Sequence, residues 1–158
     1  MPDHQLDATS RHILQILATD GRASYQAIAD SVGLSRPAVM ERVKRLEEAG
    51  YILGYNARLD RARIGYPITA FVSVRFPASC HVGDDPGIRA LQSNPNVLEC
   101  HHVAGEDCYI LKLAVPSIEG LEGVLRQLRE PGQAVSTKTT IVLSSTFEKP
   151  GIAPAGAD

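Results

Sequence analysis

The sequence predicts an α+β chain: a helical N-terminal unit followed by a βαββαβ sandwich with two helices on one sheet face. Three observations carry that reading. Apolar residues recur with a period near 3.6 as far as Leu46 and with a period of 2 from Pro67 onward. The strand-like runs beyond Pro67 are separated by helix-like runs in the order of a split βαβ unit, a ferredoxin-like sandwich. Before them, Gly33-Leu34-Ser35 joins two short helical segments as a tight turn, which is the spacing of a helix-turn-helix.

Residues 6–20 come first in the chain. Asp7 or Thr9 is placed to cap a helix whose Ile13, Ile16 and Leu17, with Leu14, make the buried stripe, and Asp20-Gly21 stops it. Ser24 caps a second, short helix with Tyr25, Ile28, Ala29 and Val32 on one side, ended by Gly33. Ser35 caps the third, its hydroxyl accepting from an orphan N–H of the first turn. Pro37 follows inside that turn, where its missing N–H costs little. Val39, Val43 and Leu46 then recur at i, i+4 and i+7, while Arg36, Glu41, Arg42, Lys44 and Arg45 form a mostly basic face elsewhere. Gly50 ends the helix. Gly50–Ile52 and Tyr55–Leu59, with Gly54 between them, predict a short β-ribbon, so the unit is expected to be a winged helix-turn-helix. A generic three-helix bundle is the plain alternative.

Asp60–Gly65 reads as a polar connector, placing the domain boundary between residues 62 and 63. Ile68, Ala70, Val72 and Val74 alternate with Thr69, Phe71, Ser73 and Arg75 as a first strand. An irregular loop and a short helix over Gly87–Ser93 follow, then a turn at Asn94-Pro95-Asn96. Val97–Val103 and Cys108–Val115 are the second and third strands, joined by Ala104–Asp107 as a hairpin. Ser117 caps a helix carrying Leu121, Val124, Leu125 and Leu128, which Pro131-Gly132 breaks. Val135–Phe147 is expected to be a long last strand, and residues 150–158, rich in Pro, Gly and Ala, a disordered tail. The sheet face away from the helices also carries apolar residues that nothing in the chain covers, so a second copy is expected there.

Composition excludes several classes. With 158 residues, 44% of them hydrophobic, and a net charge of −2, the chain is neither disordered nor a general polyanion binder. Residues 1–63 hold nine Lys/Arg against eight Asp/Glu and the remainder seven against ten, so any nucleic-acid surface is a local patch. No apolar run approaches the roughly 20 residues of a membrane span, and MPDHQLDATSRH lacks a secretory signal; a cytoplasmic protein is expected. Three cysteines without a CxxC pair fit reduced thiols rather than a disulfide framework.

Four stretches together, LDATSRHILQILATDGR (6–22), GLSRPAVMERVKRLEEAGYILGYNARLD (33–60), ECHHVAGEDCYILKLAV (99–115) and STKTTIVLS (136–144), make the chain resemble the Lrp/AsnC (feast/famine) transcription regulators. That resemblance implies a winged helix-turn-helix over 1–62 acting on double-stranded DNA at pseudo-palindromic operators. It also implies a domain over 63–149 that senses a small molecule, possibly an amino acid, and dimerises, with assembly to tetramers or octamers. The DNA-facing residues implied are Ser24, Tyr25, Ser35, Arg36, Pro37, Ala38 and Met40. Arg36 would donate to guanine, Met40 would meet a thymine methyl, and Arg42, Lys44 and Arg45 would pair with phosphates or with Glu41, Glu47 and Glu48. The effector loop implied is Gly105, Glu106, Asp107, Cys108 and Tyr109. Its N–H groups would hold a carboxylate and Asp107 an ammonium, with Ser136, Thr137 and Thr139 adding hydroxyls. Many members carry an acid where this chain has Cys108.

Two rival readings draw on the same strand. Cys100 and His102, with Cys108 and Cys80-His81, suggest a metal- or redox-responsive regulator, but adjacent strand residues diverge and no metal is expected. His101 and His102 also suggest a tetrapyrrole-modifying enzyme of the sirohaem-decarboxylase kind. No catalytic triad, phosphate-cradling loop or carboxylate pair stands out, so no catalytic residues, no cofactor and no enzyme activity are expected.

Overall fold

The computed structural model describes residues 6–76, 86–129, 136–149, 151, 152, 154 and 155. The chain divides into two compact units, Met1–Arg58 with Phe147–Asp158, and Leu59–Thr146.

Short polar residues open each helix of the first unit. Asp7 caps α1 (Ala8–Thr19), its Oδ1 accepting from Ser10 N–H at 2.7 Å. Ser24 caps α2 (Tyr25–Val32), accepting from Ala27 N–H at 3.1 Å. Gly33 ends α2 at φ 68°, a left-handed conformation in which a side chain is strained, and so turns the chain within three residues into α3 (Arg36–Glu48). Ser35 caps α3 through Ala38 N–H at 3.4 Å. The bond is long, so Ser35→Ala is expected to remove about 0.5–1 kcal/mol of stability, measured by urea unfolding. Ile13, Ile28, Ala29, Val39, Val43 and Leu46 form the core of this unit, with Ile52 packed against it from the segment after α3.

That segment departs from expectation. Among the described residues no strand lies between Tyr51 and Pro67, so the ribbon is not formed. Tyr51 N–H donates to Leu46 O at 2.9 Å, and Tyr55 Oη donates to Glu47 Oε1 at 2.9 Å, which lays the segment along α3 instead. At the other end of the chain, Arg58 Nη1 donates to Glu148 O at 2.9 Å and Arg11 Nη1 to Ala155 O. Gly151 lies so close to α1 that a Cβ there would sit 2.8 Å from the Ala18 carbonyl oxygen. The described residues of the segment expected as a free tail therefore rest on α1.

The second unit is one antiparallel sheet in the order β2-β3-β1-β4, from β1 (Ile68–Arg75), β2 (Val97–His102), β3 (Tyr109–Val115) and β4 (Ser136–Ile141), with helices α4 (Pro86–Leu91) and α5 (Ile118–Arg129). Ala70, Val72 and Val74 of β1 and Tyr109, Leu111, Leu113 and Val115 of β3 share the core face with Leu91, Leu121, Val124 and Leu128 of the helices. The last strand is shorter than expected. Ala70 pairs with Ile141 and Val142 N–H still donates to Thr69 O at 2.9 Å, but β1 begins at Ile68 and the ladder ends there. The irregular loop over residues 77–85 and the stretch 130–135, with Val135, lie outside the described residues.

Candidate nucleic-acid interface and effector site

The exposed side of the first unit is built on two helix starts. Ser24 and Tyr25 open α2, and Ser35, Arg36 and Pro37 open α3, all exposed, with Ala38 half-buried behind them and Met40 exposed one turn on. Arg36 has no carboxylate within ion-pair distance among the described residues. Glu41, not among the DNA-facing residues that the family resemblance implies, stands exposed beside Met40 and is held by Arg45 Nε at 3.1 Å. A carboxylate there can accept from a cytosine amino group. The helical period alone places it: Pro37, Met40, Glu41 and Lys44 fall opposite the buried stripe, whereas Arg36, seven residues before Val43, is exposed because it opens the helix.

The three basic residues further along α3 are not equivalent. Lys44 pairs with Glu48 at 3.7 Å and Arg45 with Glu41; both cations are about two-thirds exposed, at 67% and 69%. Such pairs are worth a few tenths of a kcal/mol, so either cation is readily released to a phosphate. Arg42 differs from these two in its partners. Its Nη1 donates to Asp7 Oδ2 at 2.7 Å and to Ser10 Oγ at 3.2 Å, and its side chain is only 33% exposed. Glu47 accepts from Tyr55 rather than from the basic face. Burial first, and then that bond to Glu47, push the Tyr55 hydroxyl up to about 12. Hydrogen bonds from Ser10 first, and then from Arg42, hold Asp7 down to about 2. A depressed carboxyl stabilises the fold fully above the ordinary carboxylate range, and that contribution is lost as pH falls toward 2.

In the second unit, antiparallel register gathers the effector candidates at the end of β1. Val74 stands opposite Tyr109 on one side and Thr137 on the other, and Arg75 stands opposite Ser136. Cys108 N–H donates to Val74 O at 2.8 Å and Val103 N–H to Cys108 O at 3.0 Å, so the Cys108 peptide closes the hairpin while its half-buried side chain packs on the core. Gly105 turns the loop at φ 145°, with open space where a side chain would stand. Arg75, absent from the expected set, donates to Glu106 Oε2 at 2.9 Å and to Asp107 Oδ1 at 3.5 Å. Its position was implicit in the alternation of β1, which turns Arg75 to the face opposite the core. Thr137 accepts from Arg129 at 3.2 Å on the core face, Ser136 lies on the opposite face, and Thr139 is two residues further along, opposite Val72. The three hydroxyls do not converge on one point.

The Cys/His strand is likewise divided. Cys100 and His102 pair with Leu111 and Tyr109 on the core-facing side, where the His102 and Tyr109 rings lie 5.3 Å apart. His101 pairs with Ile110 on the other face and bonds Glu99 at 3.2 Å, with Lys112 also on Glu99 at 3.2 Å. His101 first, and Lys112 after it, hold the Glu99 carboxyl below its ordinary value. Among the described residues no three of His, Cys, Asp and Glu converge as metal ligands, and Cys80-His81 lies outside them. No helix among the described residues is long and apolar enough to cross a membrane.

The family matches follow the same division. Residues 6–52 match a winged helix-turn-helix DNA-binding domain and residues 69–152 the Lrp/AsnC ligand-binding domain. The HTH-type transcriptional regulator LrpA of Mycobacterium tuberculosis is 37% identical over 142 residues, 90% of this chain and 93% of that protein. The leucine-responsive regulatory protein of Escherichia coli is 34% identical over 144 residues, 90% of this chain and 87% of its own length. Among solved structures, the feast or famine regulatory protein of M. tuberculosis complexed with L-methionine superposes with a TM-score of 0.84 at 34% identity, covering 94% of this chain and 99% of that one. A capped helix-turn-helix, a β2-β3-β1-β4 sheet with two helices on one face and matches across both units agree: the chain belongs to the Lrp/AsnC family of DNA-binding transcriptional regulators.

Proposed function

We propose that the chain reads DNA with the N-terminal ends of α2 and α3, and that an amino acid bound at the Gly105–Tyr109 hairpin alters that reading. Ser24, Tyr25, Ser35, Arg36, Pro37, Ala38 and Met40 form the reading edge, and Lys44 and Arg45 anchor it to phosphates. The observation that carries the sensing half is the meeting of Arg75 with Glu106 and Asp107 at the end of β1. A zwitterion fits that set: its carboxylate meets Arg75 and the loop N–H groups, and its ammonium takes an acid that Arg75 gives up. The L-methionine on the M. tuberculosis relative supports an amino acid as the class.

The same reading makes the protein a homodimer through the open sheet face. Phe71, 41% exposed, stands there with Ile110 among Thr69, Ser73, Thr140 and the Glu99–Lys112–His101 group, an apolar centre with a polar rim. Two heads held by one dimer would meet half-sites about one helical turn apart, and the dimers would assemble further into tetramers or octamers. Effector and DNA affinities must then be coupled reciprocally. The tetrapyrrole reading is disfavoured by His101 and His102 facing opposite sides of the sheet, and the relatives are named as regulators.

A thermal-shift screen of the amino acids, L-methionine included, followed by mobility shifts on the protein's own upstream DNA, tests the proposal. Asp107→Ala is expected to abolish the response to whichever amino acid shifts the wild type and to leave DNA affinity without it unchanged. A normal response in that variant places the pocket elsewhere.

A further inference from the structure

We propose that Asp7 and Arg42 are positioning residues for the reading helix: their pairing sets how far α3 is rotated about its own axis, and Arg42 does not contact phosphate. Val39, Val43 and Leu46 hold α3 against the core of its unit, but their apolar driving force is non-directional and fixes rotation about the helix axis less sharply than a directional hydrogen bond does. A rotation of about 20° moves a side-chain tip at the helix rim by about 2 Å, more than a hydrogen bond to a base edge tolerates.

The Asp7–Arg42 link supplies the missing direction. Asp7 uses both carboxylate oxygens, Oδ1 on the Ser10 N–H at 2.7 Å and Oδ2 on Arg42 Nη1 at 2.7 Å. Arg42 Nη1 also donates to Ser10 Oγ at 3.2 Å, so two side chains at the start of α1 fix one guanidinium on α3. Arg36 lies six residues upstream of Arg42 on the same helix, so a setting imposed at Arg42 is transmitted rigidly to the reading edge. The carboxylate lies at a helix N-terminus, where the backbone dipole favours its charge.

The inference rests on α3 as the reading helix, and its test separates the two. Binding of the full-length protein is measured by fluorescence anisotropy on its own upstream DNA and on a shuffled duplex of equal length, across a salt series. Asp7→Ser keeps an oxygen that can cap α1 but is too short to reach Arg42; Arg42→Gln removes the other partner. Each is expected to lose about fivefold in affinity for the upstream duplex and less for the shuffled one, with the salt slope unchanged. The double variant is expected to be no weaker than either single one, and Arg42→Lys to recover part of the loss. Helical circular dichroism checks that each variant is folded. A fall in salt slope of about 0.9 in Arg42→Gln, with equal losses on both duplexes, would make Arg42 a phosphate contact and overturn the proposal. So would wild-type binding by Asp7→Ser. If Arg36→Ala leaves discrimination intact, it is the reading of α3 that fails, whatever Asp7 and Arg42 show.

Discussion

Replacing Arg36 with alanine is expected to weaken binding to the cognate operator by about 1–3 kcal/mol, roughly five- to 150-fold, and to relax preference at one base pair. Arg36 is the first residue of α3, and it is exposed. Unlike Arg42, Lys44 and Arg45, it has no carboxylate partner among the described residues, so its donors reach DNA without first breaking an ion pair. A guanidinium fork matches O6 and N7 of guanine with two parallel hydrogen bonds, a geometry an ammonium cannot reproduce. Arg36→Lys is therefore expected to keep affinity for shuffled DNA while losing discrimination. Anisotropy against a set of operators substituted one base pair at a time is the measurement. A uniform loss across that set would make Arg36 a phosphate anchor.

The largest effect on stability is expected in the sheet. Leu113 is fully buried in β3, between Val97 of β2 and Ala70 of β1, on the face that α5 covers. Leu113→Ala removes buried methyl and methylene groups and leaves a cavity that a strand bonded on both sides cannot close, at a cost of about 2–5 kcal/mol. Leu143→Ala, at a side chain 98% exposed beyond the end of β4, is expected to stay within about 0.5 kcal/mol. Urea unfolding with far-ultraviolet detection compares the two, and equal midpoints would mean that Leu113 is not in a packed core. The cores of the two units share no residue, so the loss should fall on the transition of the sheet unit.

What could be read from the sequence was local or periodic. Asp7, Ser24 and Ser35 are short polar residues set just before a helical period, and each accepts the hydrogen bond its position implies. The alternation from Ile68 to Arg75 gave the buried face of β1, with Ala70, Val72 and Val74 in the core. What escaped depends on partners distant in the chain. Arg42 finds Asp7 35 residues away, and Arg75 finds Glu106 31 residues away; no period reports such a pair. The ribbon after Gly50 had suitable residues, yet the Tyr55–Glu47 bond claims that stretch for α3. The last strand is rich in β-formers as far as Phe147, but a strand is only as long as the one beside it.

The described residues on either side of 59–146 belong to one unit, since 59–146 form the other one without interruption. In topological terms the sensor is an insertion, spliced into a DNA-reading module whose last piece is synthesised after it. Excision of 59–146 would remove a segment that carries its whole core, whereas a head cut at Arg58 would lack Glu148, Gly151 and Ala155, the groups that rest on Arg58, Ala18 and Arg11. A ribosome releasing the first 58 residues has therefore made every helix of the head but not the strip that covers α1. The head is finished only after the sensor has been made.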